Sequence, residues 1–390
     1  MVFCFIKKVT GHVCMKHHDF KTKLPPQQGD IGTVQPEMKI GIAMSGGVDS
    51  TACALMLKEK YPVKGFFMHL AQPDFEKQRE RVESVAEKLS IELSVIDLRD
   101  QFEKAVLNYF TGSYFHGLTP NPCVICNREI KFGLFLDAIL GAGMDRMATG
   151  HYAQVLEDEK GFHLKTGIDP KKDQSYFLSR LDQKQLGSIV FPLGSKEKED
   201  IFDFVEENGF THFRGQESQD VCFLEKNQIG SFLDRRKPDG STGGKIVSTD
   251  GKVMGDHTGL FHYTIGQRKG LGVSLGVPAY VTGMDMQRNL LHVDTDPDVL
   301  LAAGLEATGV TWHDGPAPAS TLRVEAQIRY RSPAATATVE PRGDDGAIVR
   351  FDEPQRAVTP GQAVVLYDDD RVVGGGWIDR ALPAPERGRR

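Results

Sequence analysis

Residues 39–50 read Lys39-Ile40-Gly41-Ile42-Ala43-Met44-Ser45-Gly46-Gly47-Val48-Asp49-Ser50 and decide the fold. A short apolar run comes first and a pair of glycines follows it. Residues 51–60 then place Ala54, Leu55 and Leu57 at helical spacing. This order predicts a strand, a tight loop and a helix.

The same alternation continues beyond this first unit of strand, loop and helix. The predicted strands cover residues 63–69, 91–96 and 146–151, and the predicted helices cover residues 75–89, 102–110 and 130–140. Strands that alternate with helices indicate an α/β fold with a doubly wound parallel sheet. Such sheets bind ligands at the carboxyl ends of their strands, so we expect the functional site there.

The character of the sequence changes twice after this α/β segment. Past about residue 232, glycines punctuate short runs, which predicts a small, loop-rich central domain. From about residue 305, alternating strands at short spacing predict a C-terminal β-barrel. Its expected strands cover residues 322–330, 347–351, 363–367 and 371–378. The predicted organisation is a disordered leader (1–37), a catalytic domain (38–228), the central domain (229–304), the barrel (305–383) and a polar tail (384–390).

Composition excludes several classes of protein. A chain of 390 residues is long enough for two or three domains of about 150 residues each. No run approaches the roughly 18 apolar residues of a membrane helix, and six cysteines do not form a disulfide scaffold in a chain of this size. The net charge of −6 confines any contact with nucleic acid to a local patch. We expect a cytoplasmic monomer.

The glycine loop of residues 45–50 has the features of an anion site. It follows a strand and opens a helix, so backbone N–H groups and the helix dipole face the same point. The glycines allow close approach of a phosphate, the serine hydroxyls donate to it, and Asp49 can hold Mg²⁺. A Walker loop is excluded because no Gly-Lys-Ser/Thr ending is present. An ordinary glycine turn before a helix is the alternative.

Two cysteines suggest thiol chemistry. Cys126 lies in Thr119-Pro120-Asn121-Pro122-Cys123-Val124-Ile125-Cys126-Asn127-Arg128-Glu129-Ile130-Lys131-Phe132, where two prolines stiffen a loop just before the predicted helix. A helix N-terminus lowers the pKa of a thiol, and Arg128 and Lys131 add positive potential. The alternative is half of a zinc site, which needs a second Cys/His pair. Cys222, between Val221 and Phe223, could instead be a buried core residue, as we predict for Cys53.

The glycine loop resembles the pyrophosphate loop of the ATP pyrophosphatases, and several further motifs resemble the tRNA-specific 2-thiouridylases of the MnmA family. The match runs from residue 38 to about residue 377. Besides the two stretches quoted above and Cys222, it rests on Ala148-Thr149-Gly150-His151-Tyr152-Ala153, Lys172-Asp173-Gln174-Ser175-Tyr176-Phe177-Leu178 and Tyr263-Thr264-Ile265-Gly266-Gln267-Arg268-Lys269-Gly270.

The resemblance implies an adenine-nucleotide α-hydrolase-like fold and ATP-dependent 2-thiolation of the wobble uridine of the tRNAs for Lys, Glu and Gln. It implies Cys126 as nucleophile and Cys222 as persulfide carrier. A sulfur-donor protein or a persulfide relay would supply the sulfur to Cys222. The implied ATP-binding residues are Ala43, Met44, Ser45, Gly46, Gly47, Val48, Asp49, Ser50, Met68 and Gly150. The implied tRNA contacts are Asn121, Pro122, Cys123, His151, Lys172, Asp173, Gln174, Arg329, Tyr330 and Gln362.

The implied chemistry is coherent with the residue types. Uracil C2 is a poor electrophile, so ATP first adenylates its oxygen and releases pyrophosphate. The terminal sulfur on Cys222 then attacks C2, AMP departs, and Cys126 resolves the persulfide through a disulfide. Cys123 stands where some relatives carry aspartate. The thiols of Cys123, Cys126 and Cys222 could therefore instead ligate a [4Fe–4S] cluster that carries the sulfur.

Two other functions compete with tRNA thiolation. Another ATP pyrophosphatase, such as an amide-forming synthetase, would share the glycine loop but have no use for the cysteines. A non-catalytic RNA-binding module built on the barrel would release no pyrophosphate. For a tRNA substrate we predict a local basic strip. Its expected members are Arg128, Lys131, Lys172, Arg268, Lys269, Arg329 and Arg331.

Overall fold

The computed structural model describes residues 37–211, 213–214, 221–225, 228–240, 242–273 and 276–384. These residues form two compact units. The first contains residues 37–103 and 126–223, and the second contains residues 104–125 and 224–384. All but the last residue of the predicted leader, and all but the first residue of the predicted tail, lie outside the described residues. The four domain limits within the chain stay predictions.

The first unit is built on a parallel sheet. The strands of the sheet are β1 (Ile40–Ala43), β2 (Val63–His69), β3 (Leu93–Asp97), β4 (Arg146–Ala148) and β7 (Ile189–Val190). The unit also contains an antiparallel hairpin of β5 (Ala153–Asp158) and β6 (Gly161–Thr166). The sheet order is β3-β2-β1-β4-β7, and every neighbouring pair is parallel. The predicted doubly wound sheet is thereby confirmed.

The helices between residues 48 and 207 alternate with these strands, and those within residues 104–125 belong to the second unit. The helices are α1 (Val48–Lys58), α2 (Phe75–Leu89), α3 (Arg99–Phe102), α4 (Asn108–Phe115), α5 (Pro122–Ile125), α6 (Leu136–Gly141), α7 (Ser175–Leu178), α8 (Gln183–Gly187) and α9 (Lys198–Glu207). Two π-helical segments join α3 to α4 (Glu103–Leu107) and α5 to α6 (Cys126–Phe135). The core of the first unit contains Ile40, Ile42, Cys53, Leu57 and Val82, so Cys53 is a core residue as predicted.

Several boundaries differ from the sequence prediction, since β3 begins at Leu93 and β4 ends at Ala148. Two of the differences concern helices at the functional site. Helix α1 begins at Val48 rather than at residue 51, because Gly47 is extended (φ −91°, ψ 168°) and forms the N-cap. The helix around the cysteine pair begins at Pro122 rather than at residue 130. Proline fits the first helical turn because its missing N–H would have no partner there. Cys126 therefore lies one turn inside the helix and not before it.

The second unit contains helix α10 (Ile229–Arg236), a four-stranded sheet and a closed barrel. The small sheet has the order β10-β11-β8-β9, formed by β8 (Gly244–Ser248), β9 (Val253–His257), β10 (Tyr280–Asp285) and β11 (Leu290–Asp294). The barrel strands are β12 (Leu301–Trp312), β13 (Leu322–Gln327), β14 (Ala335–Arg342), β15 (Gly346–Arg356), β16 (Ala363–Asp368) and β17 (Arg371–Pro383). Two short 3₁₀ segments, Leu260–His262 and Pro297–Leu300, complete the unit.

The barrel closes through pairing of its first and last strands. The order is β12-β15-β14-β13-β16-β17, and β12 also pairs with β17. A closed barrel leaves no unpaired strand edge. The predicted C-terminal barrel is confirmed, but its first predicted strand is too long. It ends at Gln327, whose Nε2 donates to the carbonyl oxygens of Tyr330 and Ser332 (both 2.9 Å) and so fixes a turn over the next residues.

Candidate active site

The loop after β1 is shaped for an anion. Gly46 has φ +72°, and a Cβ at this position would lie 3.1 Å from Arg81 Cγ, so glycine is required there. The N–H groups of Val48, Asp49 and Ser50 belong to the first turn of α1, where no carbonyl precedes them in the helix. These donors and the positive end of the helix dipole define a phosphate site.

The two serines of the loop hold it in this shape. Ser50 Oγ accepts from the backbone N–H of Ser45 (3.1 Å) and donates to the carbonyl of Gly47 (3.1 Å). The two serine hydroxyl oxygens are 3.3 Å apart. The loop is therefore preorganised by its own side chains, while Ser45 remains exposed.

Asp49 is the charged centre of the loop. Its Oδ1 accepts from Lys198 Nζ (2.7 Å) and from the Tyr152 hydroxyl (2.9 Å). Lys198 is only 5% exposed, so its ammonium is held away from water beside this carboxylate. Burial and then the charge of Asp49 raise the pKa of Tyr152, which keeps its hydroxyl protonated as a donor. Gly150 makes room for Asp49, since a Cβ on Gly150 would lie 2.6 Å from Asp49 Cβ.

The predicted ATP contacts Ala43, Met44 and Met68 lie on or beside the central strands. Ala43 ends β1, and Met44 is buried and donates its N–H to the carbonyl of Phe66 (2.8 Å). Met68 lies in β2, where its carbonyl accepts from Gln72 Nε2 (3.1 Å). The carboxyl ends of β1 and β2 are neighbours because these strands pair in parallel. The predicted ATP residues thus follow the edge at which such sheets bind ligands.

The segment with the predicted tRNA contacts Lys172, Asp173 and Gln174 is linked to Asp49 by its side chains. Gln174 Oε1 accepts from the backbone N–H of Tyr152 (3.0 Å), and the Gln174 N–H donates to the Tyr152 carbonyl (2.9 Å). Tyr152 in turn binds Asp49. The segment and the phosphate loop therefore share Tyr152.

A second link runs through Asp169. Its carboxylate accepts from the backbone N–H of Lys198 (3.1 Å), whose Nζ binds Asp49. Asp173 is turned inward and accepts from Gly167 N–H (2.8 Å) and Ser175 Oγ (2.7 Å), and burial raises the pKa of its carboxyl group. Asp173 and Gln174 consequently shape the segment, and Lys172 is half-buried.

The sulfur residues of the first unit are organised around Lys131. Cys126 and Lys131 are five residues apart in the π-helical segment, a geometry whose hydrogen bonds join residues i and i+5, so they are one turn apart. Burial raises the pKa of the Cys222 thiol overall, and the Lys131 ammonium offsets part of that rise. Lys131 thus stabilises a thiolate at Cys222, and Cys126 is half-buried.

His151 holds Lys131 from the other side. Its Nε2 lies 3.2 Å from Lys131 Nζ, and its Nδ1 lies 2.7 Å from Thr149 Oγ1. An ammonium group can only donate, so Nε2 accepts and Nδ1 carries the proton. Burial and then the charge of Lys131 hold the pKa of His151 well below its usual range. His151 is therefore a neutral, buried residue that positions Lys131.

The remaining predicted tRNA contacts lie in the second unit. Asn121 Oδ1 accepts from the N–H of Ala363 (3.0 Å), and Gln362 Nε2 donates to the carbonyl of Thr119 (3.0 Å). Pro122 is buried and Cys123 is half-buried. Asn121 and Gln362 thus fasten the proline loop to strand β16 of the barrel and its approach.

Arg329 and Tyr330 lie in the turn after β13. Arg329 is exposed and donates from Nη2 to the carbonyl of Arg356 (3.3 Å), and Tyr330 is half-buried. The predicted basic strip joins residues of both units and stays a prediction.

Two residues at the centre of the site were missed by sequence reasoning. Tyr152 lies in a motif that we quoted, but nothing there gave it a role. Lys198 stands in the charged run Ser195-Lys196-Glu197-Lys198-Glu199, which is typical of a solvated surface. No local signal distinguishes it from Lys196, since only its burial against Asp49 does so.

Three findings concern the described residues alone. Cys53, Cys123, Cys126 and Cys222 form no disulfide. No three His, Cys, Asp or Glu side chains in the described ranges are grouped so that they could hold a metal ion. None of the helices that the structure describes has the length and apolar character of a membrane span.

Comparison with known proteins identifies the family of this chain. The model of the tRNA methyl transferase HUP domain matches residues 38–226. A tRNA-specific 2-thiouridylase MnmA of Desulfotalea psychrophila is 51% identical over 87% of this chain and 98% of its own length. This chain belongs to the MnmA family. Its resemblance to that family, inferred from the motifs, is confirmed.

Other relatives and models agree along the chain. MnmA proteins of Geobacter metallireducens and Symbiobacterium thermophilum are 41% and 40% identical over 90% and 88% of this chain, and over 99% and 93% of their own lengths. The tRNA methyl transferase PRC-barrel domain matches residues 230–295, and the aminomethyltransferase beta-barrel domain matches residues 302–378. The expected central domain and barrel of an MnmA family member are both present.

Proposed function

We propose that this chain is an ATP-dependent tRNA 2-thiouridylase that acts on the wobble uridine. The observation that carries the proposal is the position of Lys131, which acts on the Cys222 thiol and lies one turn from Cys126. This pair of cysteines occurs in the same unit as the phosphate loop. An enzyme that only adenylates its substrate has no need of such a pair.

In the ATP half of the reaction, the phosphate loop binds the triphosphate. The N–H groups of the first turn of α1 donate hydrogen bonds that stabilise the negative charge developing on pyrophosphate as it leaves. Lys198 offsets the charge of Asp49 and so keeps a carboxylate beside the phosphates from repelling them. Where Mg²⁺ binds, the Asp49 carboxylate is the group that would hold it. Adenylation of the uracil O2 converts that oxygen into a leaving group.

In the sulfur half, Cys222 carries the sulfur and Cys126 resolves it. The terminal sulfur of a Cys222 persulfide forms a bond to C2, and AMP leaves with the former carbonyl oxygen. The Cys126 thiolate then attacks the inner sulfur of Cys222, which breaks the sulfur–sulfur bond to the product and forms the Cys126–Cys222 disulfide. A dithiol reductant supplies two electrons to restore both thiols. The Lys131 ammonium stabilises the anionic sulfur in these steps.

Two links to Asp49 support a role for the segment of Lys172, Asp173 and Gln174 in sensing tRNA. Gln174 is tied to Tyr152 and Asp169 to Lys198, and both partners bind Asp49. A displacement of this segment by the anticodon arm would therefore reach the phosphate loop through short hydrogen bonds. A base that reacts inside an anticodon loop is unstacked before it enters the pocket.

The test is a thiolation assay with purified tRNA for Lys, Glu or Gln, ATP and a persulfide donor. Sulfur in tRNA and released pyrophosphate are measured in parallel. Cys126→Ser and Cys222→Ser should each abolish sulfur incorporation and leave pyrophosphate release measurable, because adenylation precedes sulfur transfer. The matched control is Cys53→Ala, which removes a core thiol and should retain both signals.

The alternatives predict other outcomes of the same assay. An amide-forming synthetase would retain full turnover in both cysteine variants and transfer no sulfur. An RNA-binding module would bind tRNA without releasing pyrophosphate. A cluster on Cys123, Cys126 and Cys222 would require iron and sulfide in anaerobically purified protein. Thiolation by iron-free protein would support the persulfide mechanism over the cluster mechanism.

A further inference from the structure

Two exposed arginines of the second unit lie at a single tyrosine, and a third arginine contacts one of them. The guanidinium groups of Arg356 and Arg268 lie near the Tyr280 hydroxyl and lower the pKa of that group through hydrogen bonding and charge. The Arg356 guanidinium carbon also lies 4.6 Å from the centre of the Tyr280 ring. Arg329 reaches the same place, since its Nη2 donates to the Arg356 carbonyl (3.3 Å). We call Arg268, Arg329 and Arg356 with Tyr280 the arginine cluster.

The cluster joins two folded parts of the second unit. Arg268 is carried by the loop between the small sheet's β9 and β10, whereas Arg356 ends β15 of the barrel. Gly266 (φ +82°) packs against the barrel, because a Cβ there would lie 2.8 Å from the Cβ of Ala357. Hydrogen bonds fix the loop to β10, from Gly266 N–H to the Val281 carbonyl (2.8 Å) and from Val281 N–H to the Gln267 carbonyl (3.0 Å). The cluster is therefore built on rigid elements.

The arginines of the cluster differ from several other exposed arginines that the structure describes. Within the described ranges, Arg268, Arg329 and Arg356 form no ion pair with a carboxylate. Several exposed arginines elsewhere are paired with acidic groups. The paired residues are Arg99, Arg214, Arg323, Arg342 and Arg380. In a chain of net charge −6, three neighbouring cations without a carboxylate partner indicate a surface that meets an anion.

The chemistry of the cluster points to a phosphodiester. Guanidinium groups bind phosphate through paired N–H donors, and here two of them lie near one tyrosine hydroxyl. A phosphate oxygen can replace that hydroxyl as acceptor or share its donors. Phosphates repeat along a nucleic acid backbone, which suits three cations on adjacent elements.

We propose that Arg268, Arg329 and Arg356 bind phosphates of the tRNA backbone, with Tyr280 as the residue that positions two of the guanidinium groups. This inference rests on the proposed function, because it takes tRNA as the polyanion. It adds Arg356 and Tyr280 to the predicted contacts and assigns the contact to backbone rather than base. Backbone contacts fix the register of the substrate and carry no sequence information.

The test measures the affinity of the full chain for tRNA at several salt concentrations. Arg356→Gln should weaken binding roughly tenfold at low salt and reduce the slope of log K against log[salt] by about one for each lost phosphate contact. Arg268→Gln should behave in the same way. The matched control is Arg342→Gln, an exposed barrel arginine paired with Glu340, which should bind as the parent protein does. Tyr280→Phe keeps the ring but removes the shared acceptor, so it should produce a smaller loss.

Two results would overturn the arginine cluster as a phosphate site. One is an unchanged affinity and salt slope in both Arg356→Gln and Arg268→Gln. The other is a loss confined to tRNAs for Lys, Glu and Gln, since a backbone contact weakens every tRNA alike. The thiolation assay is scored separately. A parent protein that binds tRNA through this cluster but transfers no sulfur would refute the proposed function and leave the phosphate site standing.

Discussion

The Lys198–Asp49 pair and the arginine cluster differ in the burial and the pairing of their charged groups. Lys198 is 5% exposed and directs its ammonium at a carboxylate oxygen of Asp49 2.7 Å away. Arg268, Arg329 and Arg356 are exposed and make no ion pair with a carboxylate in the described parts of the chain. A buried charge without a partner is strongly unfavourable, whereas an exposed one remains hydrated.

The difference separates positioning from recruitment. The buried pair fixes the geometry of the phosphate loop before any ligand arrives, so the interaction between Lys198 and Asp49 stabilises the fold. The exposed cluster keeps its electrostatic potential available for a partner, and salt screens that potential. Substitutions in the first region should therefore act on stability and turnover, and those in the second on affinity and its salt dependence.

The largest effect is expected for Lys198→Met. Removing the ammonium leaves Asp49 without its cationic partner, and the free energy of unfolding should fall by about 3 kcal/mol, the lower end for a broken buried pair, because Asp49 is itself 33% exposed. Urea denaturation measures the change. The control is Arg214→Met, whose pairs with Glu199, Asp203 and Glu206 are exposed, and the expected loss is below about 1 kcal/mol. Equal losses in the two variants would remove the distinction between the two regions.

A smaller effect is expected for Gly150→Ala. The added methyl group would lie 2.6 Å from Asp49 Cβ and 2.9 Å from its carbonyl carbon, so the phosphate loop must shift. Overpacking of this kind costs about 2 kcal/mol, and the KM for ATP should rise. Gly141→Ala is the control because nothing lies within 4 Å of its added Cβ. An unchanged KM in Gly150→Ala would argue against a loop that is fixed before ATP binds.

The smallest effect is expected for Lys131→Met. The Lys131 ammonium lowers the pKa of the Cys222 thiol, so its removal should raise that pKa. The pH profile for alkylation of Cys222 should move to higher pH, because the thiolate is the reactive form. Mass spectrometry of the Cys222 peptide measures the rate. Lys184→Met, which removes an exposed lysine paired with Asp137, should leave the profile in place, and a shift of equal size there would contradict the role of Lys131.

Much of the fold follows from local sequence patterns. The apolar run before Ser45, the glycine pair and the spaced leucines predicted the first strand, loop and helix correctly, because each rests on neighbours a few residues away. Two helix starts were wrong for a local reason as well. The extended Gly47 begins α1 early, and Pro122 begins a helix where we expected a loop.

The roles of the site residues were less accessible from the sequence. Asn121, Gln362, Asp173 and Gln174 resemble substrate contacts by motif, yet their side chains bind backbone groups of the protein itself. These bonds join residues as many as 243 positions apart, so no window of sequence contains both partners. Their contacts with tRNA stay predictions.

By itself, the sequence determined that an anion loop opens a parallel sheet, that two distant cysteines accompany it, and that the family is MnmA. These properties depend on residue type and order. Only the tertiary structure decided that Lys198 rather than Lys196 neutralises Asp49, that His151 is neutral, and that Arg268 and Arg356 meet at Tyr280. Charge pairing, desolvation and hydrogen bonding depend on distance in space, and folding brings together residues that the chain keeps far apart.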